Sequence, residues 1–482
     1  MDLTVSDIAL AVHAACPAGT EDVRCTGVTW DSRSVAPGDL YVALPGERVD
    51  GHDFAASAID AGALAVLAQR EVDVVAPVVI VDDVQKALAD LARFWRKRLT
   101  GTVIGLTGST GKTTTKNFVR DVLSHGRSVV ATKANQNNEL GVPRTLLEAD
   151  LDTDSVVVEM GMRGLGQIAE LCEVADPDWG LITNVGTSHI ELLGSQQNIA
   201  KAKAELFEAL PEGSGIAFVN AADGFARELC DIAHLEERGV QVVFYDGSDS
   251  ADSEGKHMPD APLVWASEIS LDAEGRPSFQ LNAVGFEQLG FDEANGSCPC
   301  TLNLLGFHNV SNACSAVAVG LASGMSLESC CEALESAQPE KGRQVVHHVA
   351  DGITVIDDAY NANPDSMRAS LATFSAMQIA GRRWAVLGDM LELGDYSKSS
   401  HEDVGRMAAA ARLDKLVCVG DWSRCIASAA HDAGMPESEI TLCATAEDAL
   451  DVLKPQLQTG DAVLVKASHS IGLEHVVEGL VM

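Results

Sequence analysis

Val103-Ile104-Gly105-Leu106-Thr107-Gly108-Ser109-Thr110-Gly111-Lys112-Thr113-Thr114-Thr115 is the stretch on which the fold turns. An apolar run of strand type leads into a glycine-bearing loop, and Lys-Thr then opens a helix. That order makes a phosphate cradle, because backbone N–H groups at a helix start and the helix dipole both attract anionic oxygens. The cradle spans Gly108, Ser109, Thr110, Gly111, Lys112, Thr113 and Thr114. Lys112 is placed to neutralise the β/γ-phosphates of ATP, and the Thr113 hydroxyl to ligate the Mg2+ that travels with them. The strict motif has a glycine where Leu106 stands, so this is a variant loop. The bland alternative is a glycine-rich turn that merely precedes Lys-Thr.

Around this loop, 482 residues predict roughly three domains. An apolar content of 46% is enough for proper cores, and 5% aromatic residues means that Val, Leu, Ile and Ala must fill them. The formal net charge of −36 argues against nucleic-acid or anionic-membrane binding, which need clustered Lys and Arg. It reads as a solvated acidic surface. Met1 to Leu10 has no secretory pattern and no run is long enough to span a bilayer, so a cytoplasmic protein without membrane insertion is expected. The 12 cysteines lack zinc or thioredoxin spacing and read as small, reduced core residues. Cys298-Pro299-Cys300 and Cys330-Cys331 are the close pairs.

Three α/β units are predicted. Residues 1–100 hold short apolar runs and a closing helix over 84–99. Residues 101–338 alternate strands (102–106, 155–160, 180–185, 215–220) with helical patterns, the mark of a doubly wound parallel sheet. Asp246 to Pro262 reads as an acidic surface loop and Gly285 to Cys300 as a second insertion. Residues 339–482 read as another small α/β sheet, with strands over 352–357, 384–387, 415–419, 441–444 and 462–466. Substrates are then expected in clefts between units.

Several residues fall where such folds carry chemistry. Glu159 ends an apolar strand, at the edge where ligands bind; it either faces water or serves Mg2+. His189 follows the next strand and is either a surface histidine or a metal ligand. Lys203 lies on a helix reading Ala200-Lys201-Ala202-Lys203-Ala204. A solvated lysine is the plain reading. A metal-site role requires the charge to change, as it does when CO2 converts the amine to a carbamate. Asn312, near the start of an Ala-rich helix, either caps it or recognises a flat base. Arg343 is suited to phosphate or ribose, and Asp358 to ribose hydroxyls or to an Asx-rich turn before Pro364.

Taken together, these motifs resemble the Mur ligases, ATP-dependent amide-forming enzymes of peptidoglycan synthesis. The resemblance runs over almost the whole chain. It rests on Asp31-Ser32-Arg33, Asn137-Asn138-Glu139-Leu140-Gly141-Val142-Pro143, Glu159-Met160-Gly161, Asp358-Ala359-Tyr360-Asn361-Ala362-Asn363-Pro364-Asp365-Ser366-Met367 and Leu387-Gly388-Asp389-Met390-Leu391-Glu392-Leu393-Gly394. It implies a three-domain fold: a substrate domain, a central P-loop parallel sheet and a C-terminal Rossmann-like domain. Implied substrates are ATP, UDP-N-acetylmuramoyl-tripeptide and D-alanyl-D-alanine, with Mg2+ as cofactor. Lys112, His189 and carbamylated Lys203 would be catalytic. Thr113, Glu159, His189 and Lys203 would serve metal ions. Asn312, Arg343 and Asp358 would bind adenine and ribose, and Ser32 and Arg33 the UDP-sugar end. A monomer is expected. Lys466-Ala467-Ser468-His469-Ser470 departs from the family pattern, which has arginine where His469 stands. Rival readings are a Mur-type ligase for another amino acid and a non-catalytic P-loop switch.

Overall fold

The computed structural model describes residues 1–482 except 47, 249–260, 292–294, 350 and 482. The N-terminal part carries a four-stranded parallel sheet: Gly27–Thr29, Asp39–Val42, Ala65–Ala68 and Val78–Ile80. A helix at Val84–Arg96 follows it. The Asp83 carboxylate accepts the Lys86 N–H and caps this helix, satisfying a donor that the first turn cannot pair. Its buried stripe of Val84, Ala87, Leu88, Leu91, Ala92 and Trp95 follows helical spacing. Trp95 donates its indole N–H to Ala149 O (2.9 Å), which ties this helix to the end of the Gly141–Glu148 helix.

The central sheet has nine strands among the described residues. Across the sheet they run Gly296–Thr301, Pro277–Val284, Leu263–Leu271, Gln241–Asp246, Ile216–Asn220, Trp179–Ile182, Thr102–Thr107, Ser155–Glu159 and Val129–Ala131. From Thr102–Thr107 the chain first builds towards Val129–Ala131, then crosses to Trp179–Ile182 on the other side. The strand order therefore reverses beside Thr107, and the crevice past that edge is where doubly wound sheets bind ligands. Ile104, Leu106, Val157, Leu181 and Phe218 are buried on one face; Val103, Val156, Val158 and Ile182 belong to the core on the other. Strands covered on both faces read as continuous apolar runs, which is why these were legible.

The sheet is not parallel throughout. Leu263–Leu271, Pro277–Val284 and Gly296–Thr301 pair antiparallel. The expected insertion over 285–300 thus ends in an edge strand containing Cys298, Pro299 and Cys300, preceded by a short turn at Phe286–Leu289. Proline is tolerated there because an edge strand leaves one side unpaired. Most of the expected acidic loop at 246–262 lies outside the described residues, and Gln241–Asp246 is a strand.

A six-stranded sheet forms the last part. Its order is Val345–His348, Thr354–Asp357, Ala462–Lys466, Arg383–Gly388, Lys415–Val419 and Ile440–Cys443. Val345–His348 is antiparallel to its neighbour and was not foreseen; its Val-Val-His-His pattern is short and half-buried. All 12 cysteines are free, and nine of them are buried. Among the described residues no helix is long and apolar enough to cross a membrane.

Candidate active site

The Thr102–Thr107 strand delivers the loop to the sheet edge, and the Lys112–Leu123 helix leaves it. Gly111 adopts φ +76° as the residue before the helix, a left-handed conformation that glycine takes without strain. Gly108 is required for a different reason: a Cβ there would lie 1.7 Å from Thr183 Oγ1. Thr183 is itself pinned, donating to Thr110 O (2.6 Å). The Ser109 and Thr110 N–H groups donate to Asn184 O and Asn184 Oδ1, both at 3.1 Å. Those two donors are therefore committed within the protein, and the helix start beyond them faces the cleft. Lys112 Nζ donates to Gly108 O (2.7 Å), folding back over the loop. Gly105, by contrast, belongs to the sheet, packed against Leu206.

Glu159, at the end of the neighbouring strand, is 1% exposed, so it does not face water. Its Oε1 accepts from Asn137 Nδ2 (2.9 Å) and lies 3.4 Å from Thr113 Oγ1. Its Oε2 is buried without a hydrogen-bond partner. A buried carboxylate oxygen in that state is costly unless a cation completes it. Lys203 is 2% exposed while Lys201, on the opposite helix face, is exposed. Burial and the nearby Lys112 push the Lys203 amine well below the usual lysine range, against the pull of Asp223. Burial also lowers Lys112, opposed by Glu159. His189 is half-buried with φ +61°, and its Nδ1 sits 2.8 Å from Glu392 Oε2 without hydrogen-bond alignment. Burial holds its imidazole below the ordinary value, with Glu392 opposing and Lys112 and Lys203 adding to the fall.

The last sheet supplies the facing wall. Arg343 donates to Thr113 Oγ1 (2.9 Å) and stacks its guanidinium over the Tyr360 ring (4.3 Å to the centroid). Asp358 accepts from Ser370 Oγ (2.5 Å) and pairs with Lys466 Nζ (2.8 Å). Asn312 lies inside the His308–Ala322 helix and does not cap it. Its Oδ1 accepts from Thr115 Oγ1 (3.1 Å) and its Nδ2 donates to Asn309 Oδ1 (2.9 Å), with Gly111 packed against it. Asn363 Nδ2 donates to Ser188 Oγ (2.7 Å), and Asp365 accepts from the Thr187 N–H (3.1 Å), closing the two sheets onto each other.

Together these residues line one cleft of about 1490 Å³, which takes in Gly108 to Thr114, Glu159, His189, Lys203, Asn312, Arg343 and Asp358. Ser32 and Arg33 are not part of that lining. Arg33 is 87% exposed and pairs with Asp31 at 2.8 Å. Sequence reasoning did not single out Asn137, Glu392 or Lys466. Asn137 and Glu392 lay inside quoted motifs, and Lys466 ended a foreseen strand, but their partners are distant in sequence.

Among the described residues, no group of three or more His, Cys, Asp or Glu is arranged to hold a metal unaided. The orphaned Glu159 oxygen beside the Thr113 hydroxyl nevertheless fits a Mg2+ ion shared with phosphate oxygens. Mg2+ is commonly held by one or two carboxylates plus substrate phosphates.

Residues 24–96 match the family described as Mur ligase family, catalytic domain. Residues 106–320 match the Mur ligase middle domain, and 342–469 the Mur ligase, glutamate ligase domain. A Mycobacterium leprae protein named UDP-N-acetylmuramoyl-tripeptide–D-alanyl-D-alanine ligase is 39% identical over 526 aligned positions, covering 100% of this chain and 98% of the relative. A crystal structure of MurF from Acinetobacter baumannii superposes with a TM-score of 0.83 at 32% identity, covering 100% and 99% of the two chains. MurF from Thermotoga maritima, solved in complex with ADP, gives 0.74 at 28% identity, covering 94% and 96%.

Proposed function

Because the chain belongs to the Mur ligase family, we propose that it joins D-alanyl-D-alanine to UDP-N-acetylmuramoyl-tripeptide at the expense of ATP. The observation that carries this reading is the meeting of Lys112 and Arg343 beside the buried Glu159 carboxylate in one cleft, inside a chain of net charge −36. Concentrated positive charge is what the first step demands, because a carboxylate must approach a triphosphate.

In that step the terminal carboxylate of the tripeptide attacks the γ-phosphorus of ATP. The bond to the β-phosphate oxygen breaks, and an acyl phosphate and ADP result. Lys112 offsets the charge that develops on the phosphoryl oxygens. The amino group of D-alanyl-D-alanine first gives up its ammonium proton. The neutral amine then attacks the acyl carbon, phosphate leaves with the bonding pair, and the nitrogen's extra proton passes to the departing phosphate. Mg2+, when bound, supplies Lewis-acid stabilisation of the phosphoryl oxygens. Thr113, Glu159, His189 and a carbamylated Lys203 would hold such ions. The lowered basicity of Lys203 supports the carbamate, since only the neutral amine adds to CO2.

Asn312, Arg343 and Asp358 are assigned to the adenine and ribose of ATP, and Ser32 and Arg33 to the UDP-sugar end. Residues 1–100, 101–338 and 339–482 serve as the substrate, ATP and C-terminal domains. Water would destroy the acyl phosphate, so the contacts of Asn363 and Asp365 with Ser188 and Thr187 belong to a closure that excludes it. The reading takes the chain to act as a monomer, in the cytoplasm.

The test is phosphate release from ATP with Mg2+ and UDP-N-acetylmuramoyl-tripeptide, with and without D-alanyl-D-alanine. Release that needs both substrates, with a product heavier by the dipeptide, is the expected result. Release indifferent to both would remove the substrate assignment.

A further inference from the structure

Among the carboxylates lining the cleft, Glu159, Asp358, Asp365 and Glu392 differ in how firmly they are held. Glu159 is engaged by Asn137 and Thr113, and Asp358 by Lys466 and Ser370. Asp365 accepts from Thr187 and pairs with Arg368 at 3.0 Å. Glu392 is different. One oxygen lies 2.8 Å from His189 Nδ1 without hydrogen-bond alignment, and the other 3.6 Å from the Arg163 guanidinium. The side chain keeps 44% of its exposure, so it remains open to the cleft it lines.

Its backbone is also unusual. Glu392 sits at φ +60°, a left-handed conformation that a non-glycine residue adopts only where its surroundings hold it there. The neighbours enforce it. The Met390 N–H donates to His401 Nε2 (2.9 Å), the Leu391 N–H to Ser468 Oγ (3.0 Å), and Ser397 Oγ to Gly394 O (2.7 Å). The loop is thus built to hold an anion, loosely paired, against His189 and across the domain boundary from it. The Arg163 guanidinium beside it makes a pair of opposite charges, matching the two ends of a zwitterion.

Resting on the ligase reading above, we propose that Glu392 receives the ammonium group of the incoming D-alanyl-D-alanine as an ion pair. It is a substrate-binding residue contributed by the loop that follows the Arg383–Gly388 strand. Ammonium entry replaces its long contact with Arg163 by a charge-assisted hydrogen bond, the stronger type of interaction.

The test is steady-state kinetics on the full chain. Wild type must first show turnover that needs both substrates; failure there overturns the ligase reading, and this inference with it. Given that turnover, Glu392→Gln raises KM for D-alanyl-D-alanine about tenfold or more, while KM for ATP and for the UDP-linked tripeptide stays within about twofold. Single-turnover ADP formation without the dipeptide stays at the wild-type rate. Glu392→Asp falls between. An unchanged dipeptide KM, or an equal loss of ADP formation without the dipeptide, overturns the inference, because Glu392 would then act only through His189. A second measurement needs no variant: D-lactoyl-D-alanine, in which a hydroxyl replaces the amine, should compete with the dipeptide about tenfold more weakly than its amine counterpart binds. Equal affinity overturns the ion pair.

Discussion

Lys466→Met tests the buried pair that organises the facing wall. Lys466 Nζ lies 2.8 Å from Asp358 Oδ2, with side chains 4% and 11% exposed, and also donates to Asn361 O (2.9 Å). Removing the ammonium leaves the Asp358 carboxylate buried with Ser370 as its remaining close donor. Breaking one side of such a pair costs about 3–5 kcal/mol, because the remaining charge is left uncompensated. At about 2–4 °C per kcal/mol for a domain of this size, the melting temperature should fall by about 6–20 °C. Scanning calorimetry reads this directly. Adding Asp358→Asn to the same chain removes the stranded charge and should recover more than half of the loss. The two positions are thus coupled, and the cycle measures that coupling. A shift under about 1 °C in Lys466→Met, or a double variant no more stable than the single one, would refute the reasoning.

Other outcomes follow from the same geometry. Lys203→Ala should lower turnover by roughly 10²–10³, and an added short-chain carboxylate should restore part of it; wild-type rates without rescue would remove the carbamate. Gly108→Ala should abolish ATP binding in a calorimetric titration, since the new Cβ meets a Thr183 hydroxyl that Thr110 already fixes. The side-chain and backbone hydrogen bonds from Arg33 hold the Asp31 carboxyl down at about 2, from an ordinary value of 3.8. Because the folded value is depressed, that contribution to stability is present above the unfolded value and is lost as pH falls through the folded one. Arg33→Ala removes the larger, side-chain contribution and should raise the Asp31 midpoint from about 2 towards 3.8 without reaching it, because the residue-33 N–H still donates; an unmoved midpoint would contradict the assignment.

What could be read in the chain was local. The loop at 107–115 announced itself because strand, glycines and Lys-Thr are contiguous, and Glu159 because its strand is a covered apolar run. Lys203 was harder: Lys201 and Lys203 look alike in an Ala-rich helix, and only packing decides which face is buried. The edge strand Gly296–Thr301 was missed because Gly, Ser, Pro and Cys carry no apolar alternation. Neither Glu392 against His189 nor Lys466 against Asp358 was visible, since each contact joins segments over a hundred residues apart. Asn312 is expected from sequence either to cap its helix or to recognise a flat base; it does not cap, and both ends of its amide make contacts within the protein, one of them to Thr115.

The strand Val345–His348 begins two residues after Arg343, and Tyr360, which Arg343 stacks upon, follows the next strand of the same sheet. Arg343 therefore travels with the C-terminal sheet as one stiff piece. Its hydrogen bond to Thr113 joins that sheet to the Lys112–Leu123 helix. The molecule thus has a built-in reporter of its own posture: a label on the Arg343 side of this contact and another on the Lys112–Leu123 helix would register any change in their spacing without touching a substrate.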